Sequence, residues 1–279
     1  MVLGRVHCAF CVILVFQTLL YCDGQFAQKN YETRGKRANE SPDGKRSAPP
    51  MDTRNIRRGD TVSPLPFPTC RADNVDCLRR SLRTFFFLMD AGHFGMQPVD
   101  PVIVNSVTVS LPEEQTTFSL RRVNVTGARW TKLVERRFGL ENGKAGVVFL
   151  TDLHLTGQLS MEVAGRPEPH NAFLTMDIQG AESNITYLGN IQRGRDNEDY
   201  IVIGPERIAI RNRRIPSYFL QPNSEDAYTI DEALQKKPSI LDHISNEITA
   251  AIMHSVVDNF RLFSMNVPIR YYYKYYNEK

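Results

Sequence analysis

The chain has 279 residues, 42% of them hydrophobic, and 34 Lys/Arg against 31 Asp/Glu give it a formal net charge of +3. That excess is local: residues 25–60 alone hold nine basic and five acidic side chains, so the rest of the chain is slightly acidic. A folded part without a net basic balance argues against nucleic acid as a partner.

Arg5 precedes a mostly apolar run of fifteen residues, "VHCAFCVILVFQTLL", followed by "YCDG". This reads as a signal peptide over 1–24, cut after Gly24, and implies secretion into an oxidising extracellular space. The run is shorter than the ~20 apolar residues of a spanning helix and nothing downstream replaces it, so no transmembrane segment is expected. Cys8, Cys11 and Cys22 leave with the signal, and the two remaining cysteines, Cys70 and Cys77, are expected to form a disulfide. Residues 25–66, basic and poor in apolar side chains, read as a disordered linker. It contains "GKR" twice, at 35–37 and 44–46, a pattern similar to the cleavage signals of small peptide-hormone precursors. A solvated linker trimmed by proteases is the simpler reading, because the spacer "ANESPD" is short and a globular chain follows.

Residues 67–279 read as one folded domain, long enough to bury a large core. A first helix is expected from Asp73 or Asn74, with Val75, Leu78, Leu82, Phe85, Phe86 and Met89 at helical spacing and Gly92 as its stop. Cys77 lies in its first turn. A bridge to Cys70 would close a loop of about eight residues, contributing roughly 2.5 kcal/mol, enough to fix the start of the helix but not to hold a domain.

Strand-like alternation follows. In "VIVNSVTVSL" the face Ile103, Val107, Val109, Leu111 alternates with Val104, Ser106, Thr108, Ser110, and similar patterns recur in "TTFSLRRVNV", "GVVFLTDLHL", "LSMEV", "AFLTMDI", "YIVI" and "RIAI". Turns are expected at "TGAR", "GLENGKAG", "AGRPEPHN" and "QGAESN". Seven or eight strands without interposed helices imply an antiparallel sheet. After Pro238, Ile240, Ile244, Ile248, Ile252, Val256 and Phe260 fall at every fourth position of an unbroken helical segment, "SILDHISNEITAAIMHSVVDNFRLF". Such a face, roughly 37 Å long, demands a cover, and the sheet is the large candidate. The fold class is therefore α+β: a strongly curved antiparallel sheet wrapped around a long C-terminal helix, with a short disulfide-clipped N-terminal helix.

No signature of catalysis appears. His93, His154, His170, His243 and His254 form no metal-type spacing, no Gly-x-Ser-x-Gly elbow or phosphate-binding glycine loop occurs, and the carboxylates are scattered. His93 near Asp90 is the best pair and reads as a solvated loop histidine. No enzyme activity, cofactor or metal is expected. "NVT" at Asn124 and "NIT" at Asn184 are glycosylation sequons. Trp130 is assigned to the core. The terminal "YYYKYY" reads as a final edge strand, with an aromatic surface for a partner or a membrane headgroup layer as the alternative.

The order of these pieces resembles a known family. The helix "DCLRRSLRTFFFLMDAGHFGMQPVDPVIV", the strand "VNVTGARWTKLVERR" and the long helix ending "NFRLFSMNVPIRYYY" are similar to the takeout and haemolymph juvenile-hormone-binding proteins of insects. Cys70, Asp76, Cys77, Leu78, Ser81 and Leu82 match the clipped helix. Gly95, Pro98, Asp100, Pro101 and Val102 match an Asp-Pro turn, and Val123 to Gly127 approximate a strand-turn. The classical hormone carriers have a second disulfide, and this chain lacks the cysteines for it, which points to the takeout branch. The resemblance implies a TULIP-like fold whose sheet and helix leave an apolar tunnel.

On this reading the protein is a secreted, monomeric carrier of a small hydrophobic ligand in haemolymph-like fluid. The guest is a juvenile hormone, another terpenoid or a fatty-acyl molecule. From helix face and turn position, Phe85, Met89, Phe94, Met96, Ile248, Ile252, Val256 and Phe260 are the expected lining. The alternative is a secreted effector of the same fold that works by membrane or receptor contact.

Overall fold

The computed structural model describes residues 67–71, 73–139 and 144–274. The signal peptide, the linker and Tyr275 and Tyr276 lie outside these residues.

Helix α1, Val75–Asp90, starts where the Asn74 side chain accepts a hydrogen bond from the Cys77 amide at 2.9 Å. It buries Cys77, Phe85, Phe86, Leu88 and Met89. Strands β1 (Val102–Leu111), β2 (Thr116–Thr126), β3 (Lys132–Gly139), β4 (Lys144–Val163), β5 (His170–Arg193), β6 (Asp199–Asn212) and β7 (Ser217–Gln221) form one antiparallel seven-stranded sheet. Its spine is the pair β4–β5, 20 and 24 residues long. Because these two outlast their neighbours, each is flanked twice: β4 by β2 at one end and β3 at the other, β5 by β6 and β7. Register shifts interrupt β2, β3, β4 and β5, and such bulges bend strands and increase local twist, so the sheet curls.

Helix α2 (Glu225–Lys236) lies against β5 and β7, and α3 (Ser239–Asn266), 28 residues or about 42 Å, packs on β1, β5 and β6. Alternation along β4 and β5 sends Leu153, Leu155, Leu159, Met161, Leu174, Met176 and Ile178 to the covered side, where α3 contributes Ile240, Ile244, Ile248, Ile252 and Met253. The α+β architecture read from the sequence is the observed one.

Four expectations are corrected, and one element was not expected. The segment "QGAESN" is no turn but a kink inside β5: Gly180 has φ +68°, and its amide donates to Asp152 Oδ1 at 2.7 Å, so the strand continues through it. Ile103 is 62% exposed. Burial along β1 changes phase near Asn105, from Val102 and Val104 at its start to Val107 and Val109 farther on, although its register with β2 is unbroken from Val104–Val123 to Ser106–Arg121. Trp130 is 70% exposed, at the end of a short 3-10 turn, while Ala128 fills the core position. The unexpected element is α2, in the segment before the long helix, capped by Ser224 and buried through Ala227, Ile230 and Leu234. The described part of the terminal tyrosine run is no edge strand either. It forms a 3-10 turn and one parallel bridge between Cys70 and Tyr273.

Candidate functional site

An apolar cavity of about 160 Å³ lies where α1, the C-terminal half of α3 and the β3–β4 and β5–β6 ends of the sheet meet. Leu78, Leu82 and Phe85 come from α1, Val256, Val257, Phe260 and Phe263 from α3, and Val147, Phe149 and Ile185 from the sheet. The rings support one another. Phe85 meets Phe260 at 5.6 Å and Phe263 at 5.7 Å, both edge-to-face, and Phe263 meets Tyr272 at 5.3 Å. Such contacts fix ring orientation, so the rings do not turn to fill the space beside them.

One end of the cavity is polar. Tyr187, Tyr272, Tyr273, Arg136 and Lys144 belong to its wall. Arg136 donates to the Tyr273 hydroxyl at 2.8 Å, and its guanidinium lies 4.9 Å from the centre of that ring. Burial pushes the hydroxyls of Tyr187 and Tyr272 up, with nearby Arg136 opposing this at Tyr187. The Tyr272 hydroxyl is buried without a hydrogen-bond partner among the described residues.

Cys70 and the segment 272–274 hold this wall in place. Cys70 and Cys77 are joined in a disulfide, with their Cα atoms 5.6 Å apart. Cys70 in turn receives the C-terminal segment: its amide donates to the Tyr272 carbonyl at 3.1 Å, and the Lys274 amide donates to its carbonyl at 3.0 Å. The clip at the first helix thereby also positions Tyr272 and Tyr273. Both are buried, whereas Tyr271 of the same run is half-buried.

Of the eight residues expected to line a tunnel, the cavity brings together Phe85, Val256 and Phe260. Met89, Met96, Ile248 and Ile252 are at most 1% exposed and belong to the filled interior away from it. The Met89 sulfur accepts from the Asn259 side chain at 3.0 Å. Phe94, in the turn after α1, reaches the cluster by its edge-to-face contact with Phe263 at 6.1 Å. Absent from the expectation were Phe149, Ile185, Tyr187, Tyr272, Arg136 and Lys144. The alternation of β3, β4 and β5 marks the inward faces, but nothing in one strand tells which inward residues border a void. Asn124 is exposed and Asn184 half-buried, each alternating with buried neighbours on the opposite face of its strand.

His154, His170 and His254 have carboxylate partners. His170 Nδ1 lies 2.7 Å from Asp226 and ties the start of α2 to β5, and His154 Nδ1 lies 2.7 Å from Asp177 on the outer face. Among the described residues no three metal-ligating side chains converge, and no described helix is long and apolar enough to cross a membrane.

Compared with solved structures, the chain aligns with Epiphyas postvittana Takeout 1 at a TM-score of 0.61 and 13% identity, covering 74% of this chain and 99% of that one. The chain has the takeout fold. A lipopolysaccharide-binding protein also aligns, with a TM-score of 0.37 and 8% identity over 66% of this chain and 37% of that one. No family model and no curated protein matches the sequence itself. The takeout fold therefore rests on shape, and the assignment of a guest rests on the cavity of this chain.

Proposed function

We propose that the protein is a secreted carrier that holds a small hydrophobic molecule between α3, α1 and the curled sheet, without covalent chemistry. The carrying observation is the cavity, whose wall is made mainly of Phe, Val, Leu and Ile side chains on rigid elements, the setting in which ligand sites occur. The takeout fold and the Cys70–Cys77 disulfide support an extracellular carrier. A cavity of this volume matches one that accepts a benzene-sized guest, so a fatty-acyl or terpenoid chain extends beyond it. Half-buried Leu78 and Leu82 are the wall residues with the freedom to give way to such a chain. Desolvation drives binding: about 400 Å² of buried guest surface contributes on the order of 10 kcal/mol before association costs.

Ala145 tests the reading, because it lines the cavity as the smallest inward residue at the start of β4. Ala145→Leu places three more carbons in the void. It is expected to weaken binding of a fluorescent fatty-acid probe more than tenfold while changing the unfolding free energy by no more than about 1 kcal/mol. A variant that binds the probe as the parent does removes the cavity from the account, and extracts of native protein that contain no apolar molecule by mass spectrometry count against the carrier itself.

A further inference from the structure

The chemistry of the cavity wall is uneven. Lys144 and Asn190 are its exposed members and mark the mouth, whereas Phe149, Ile185, Val256 and Phe263 are buried. Among the described lining residues Arg136 and Lys144 carry positive charge, and no Asp or Glu accompanies them. Lys144 forms no ion pair among the described residues, whereas Lys236 and Lys237 each pair with a glutamate.

The Tyr272 hydroxyl stands out further, being buried and unpartnered, a state that proteins seldom keep without a use. It is part of a cluster. Tyr187 and Tyr273 are both within electrostatic reach of Tyr272, and Arg136 is within reach of Tyr187 and hydrogen-bonded to Tyr273. Burial keeps Tyr187 and Tyr272 protonated, so each has a hydrogen to donate. The polar end thus offers donors and positive charge, and the remainder of the wall offers rings and branched aliphatics. Its natural complement has acceptors and negative charge at one end and hydrocarbon at the other.

We propose that the guest is a carboxylic acid with an apolar tail, its head held by Tyr272, Arg136 and Lys144 and its tail among the rings of α1 and α3. This rests on the carrier reading and names the class of molecule the site takes. A carboxylate is acceptor-only, with about four lone-pair directions on two oxygens, and matches a phenol hydroxyl beside two cations. Charge-assisted bonds of this kind are roughly twice as strong as neutral ones. The matching ester can accept from Tyr272 but gives the cations nothing to neutralise. A straight-chain fatty acid and a terpenoid acid share the head and differ in the tail.

The test compares cis-parinaric acid with its methyl ester, by fluorescence titration at pH 7.5, on the whole secreted chain and on Tyr272→Phe, Lys144→Met and Arg136→Leu. The acid is expected to bind the parent protein at least tenfold more tightly than the ester. Each variant narrows that ratio severalfold, Arg136→Leu most. Tyr272→Phe and Lys144→Met keep the shape of the wall, so they decide the matter should Arg136→Leu not fold. Displacement of the probe by lauric acid or by farnesoic acid supports the proposal and identifies the tail, whereas displacement by neither overturns it. Equal binding of acid and ester by the parent, or a ratio unmoved in both shape-keeping variants, overturns the head-group assignment and leaves the carrier reading intact. Binding of neither probe overturns both.

Discussion

The two halves of α3 meet one sheet with different results. The N-terminal half lies at the level where Asn212 donates to Ser245 at 2.6 Å, and Asn212 is paired through the ladder with Ala181 of β5. Beyond that level the sheet presents Leu153, Met176 and Ile178, at most 3% exposed, and the helix answers with Ile240, Ile244, Ile248 and Met253, at most 1% exposed. The C-terminal half lies where Arg261 donates to the Gly204 carbonyl at 2.8 Å, next to Ile203, the partner of Gly189. There Gly189 and Ala145 interrupt a sheet wall otherwise made of Val147, Phe149 and Ile185, while the helix and α1 present Phe260, Phe263 and Phe85. Branched aliphatics interdigitate. Rigid rings facing small residues do not, and the volume left over is the cavity. An interior of uniform apolar composition is thus divided by side-chain size into a packed half, which stabilises, and an open half, which is free to bind.

The sharpest test of that division is a pair of truncations. Ile248→Ala in the packed half removes a fully buried side chain and leaves a new void, and is expected to cost about 3–4 kcal/mol, a fall in Tm of about 6–16 °C. Val256→Ala in the open half merely enlarges a void that exists, so its cost stays near the transfer value of two methyl groups, about 1–1.5 kcal/mol. Urea denaturation of both variants measures the difference. Equal losses would mean that the two halves are packed alike.

How much of this was legible in the sequence depends on whether the signal was local. The apolar spacing of α1 and α3, the Asn74 cap and the pairing of the two late cysteines are local, and the structure shows each of them. The lengths of β4 and β5 were hidden, because Gly180 reads as a turn residue until Asp152 of the neighbouring strand supplies its amide with a partner. Ile103 was misplaced for a different reason: a period of two cannot announce that burial along the strand changes phase near Asn105. α2 could have been found, since Ser224 followed by Ala227, Ile230 and Leu234 is a capped helical stripe. For the site, the helix face identified the direction in which Phe85, Val256 and Phe260 point. It could not distinguish them from Ile248 and Ile252 on the same face, because that depends on the size of residues in strands a hundred positions away.

A smaller effect tests how the open half is closed. The Cys70–Cys77 bridge is worth about 2.5 kcal/mol by its loop length, or about 5–10 °C in Tm for a domain of this size. Replacing both cysteines by serine should lower Tm by that amount and make the melt insensitive to reductant. Since Cys70 also anchors Tyr272, probe affinity should fall as well, whereas Ile248→Ala reduces stability with a smaller loss of affinity per kcal/mol. Unchanged probe binding in the serine variant would separate the clip from the cavity wall.

The smallest effect concerns pH and the side contacts of the open half. Glu206 on β6 is partly buried, which alone would raise its pKa, but hydrogen bonds from His254 and Arg261 of α3 prevail and hold the carboxyl below its ordinary value. A carboxyl whose pKa is lowered by folding contributes stability that is present above the ordinary glutamate value of 4.5 and lost as pH falls through the folded value. Acidification below that point should therefore loosen β6 from the C-terminal half of α3, the half that packing alone secures less firmly. Urea midpoints of the parent and Glu206→Gln at pH 7 and pH 3.5 isolate this contribution: the parent loses more on acidification, because the glutamine variant has already lost the ion pair at both values. A gap between the two proteins that stays constant with pH would show that Glu206 acts by shape alone, and that the open half is held by its rings and its clip.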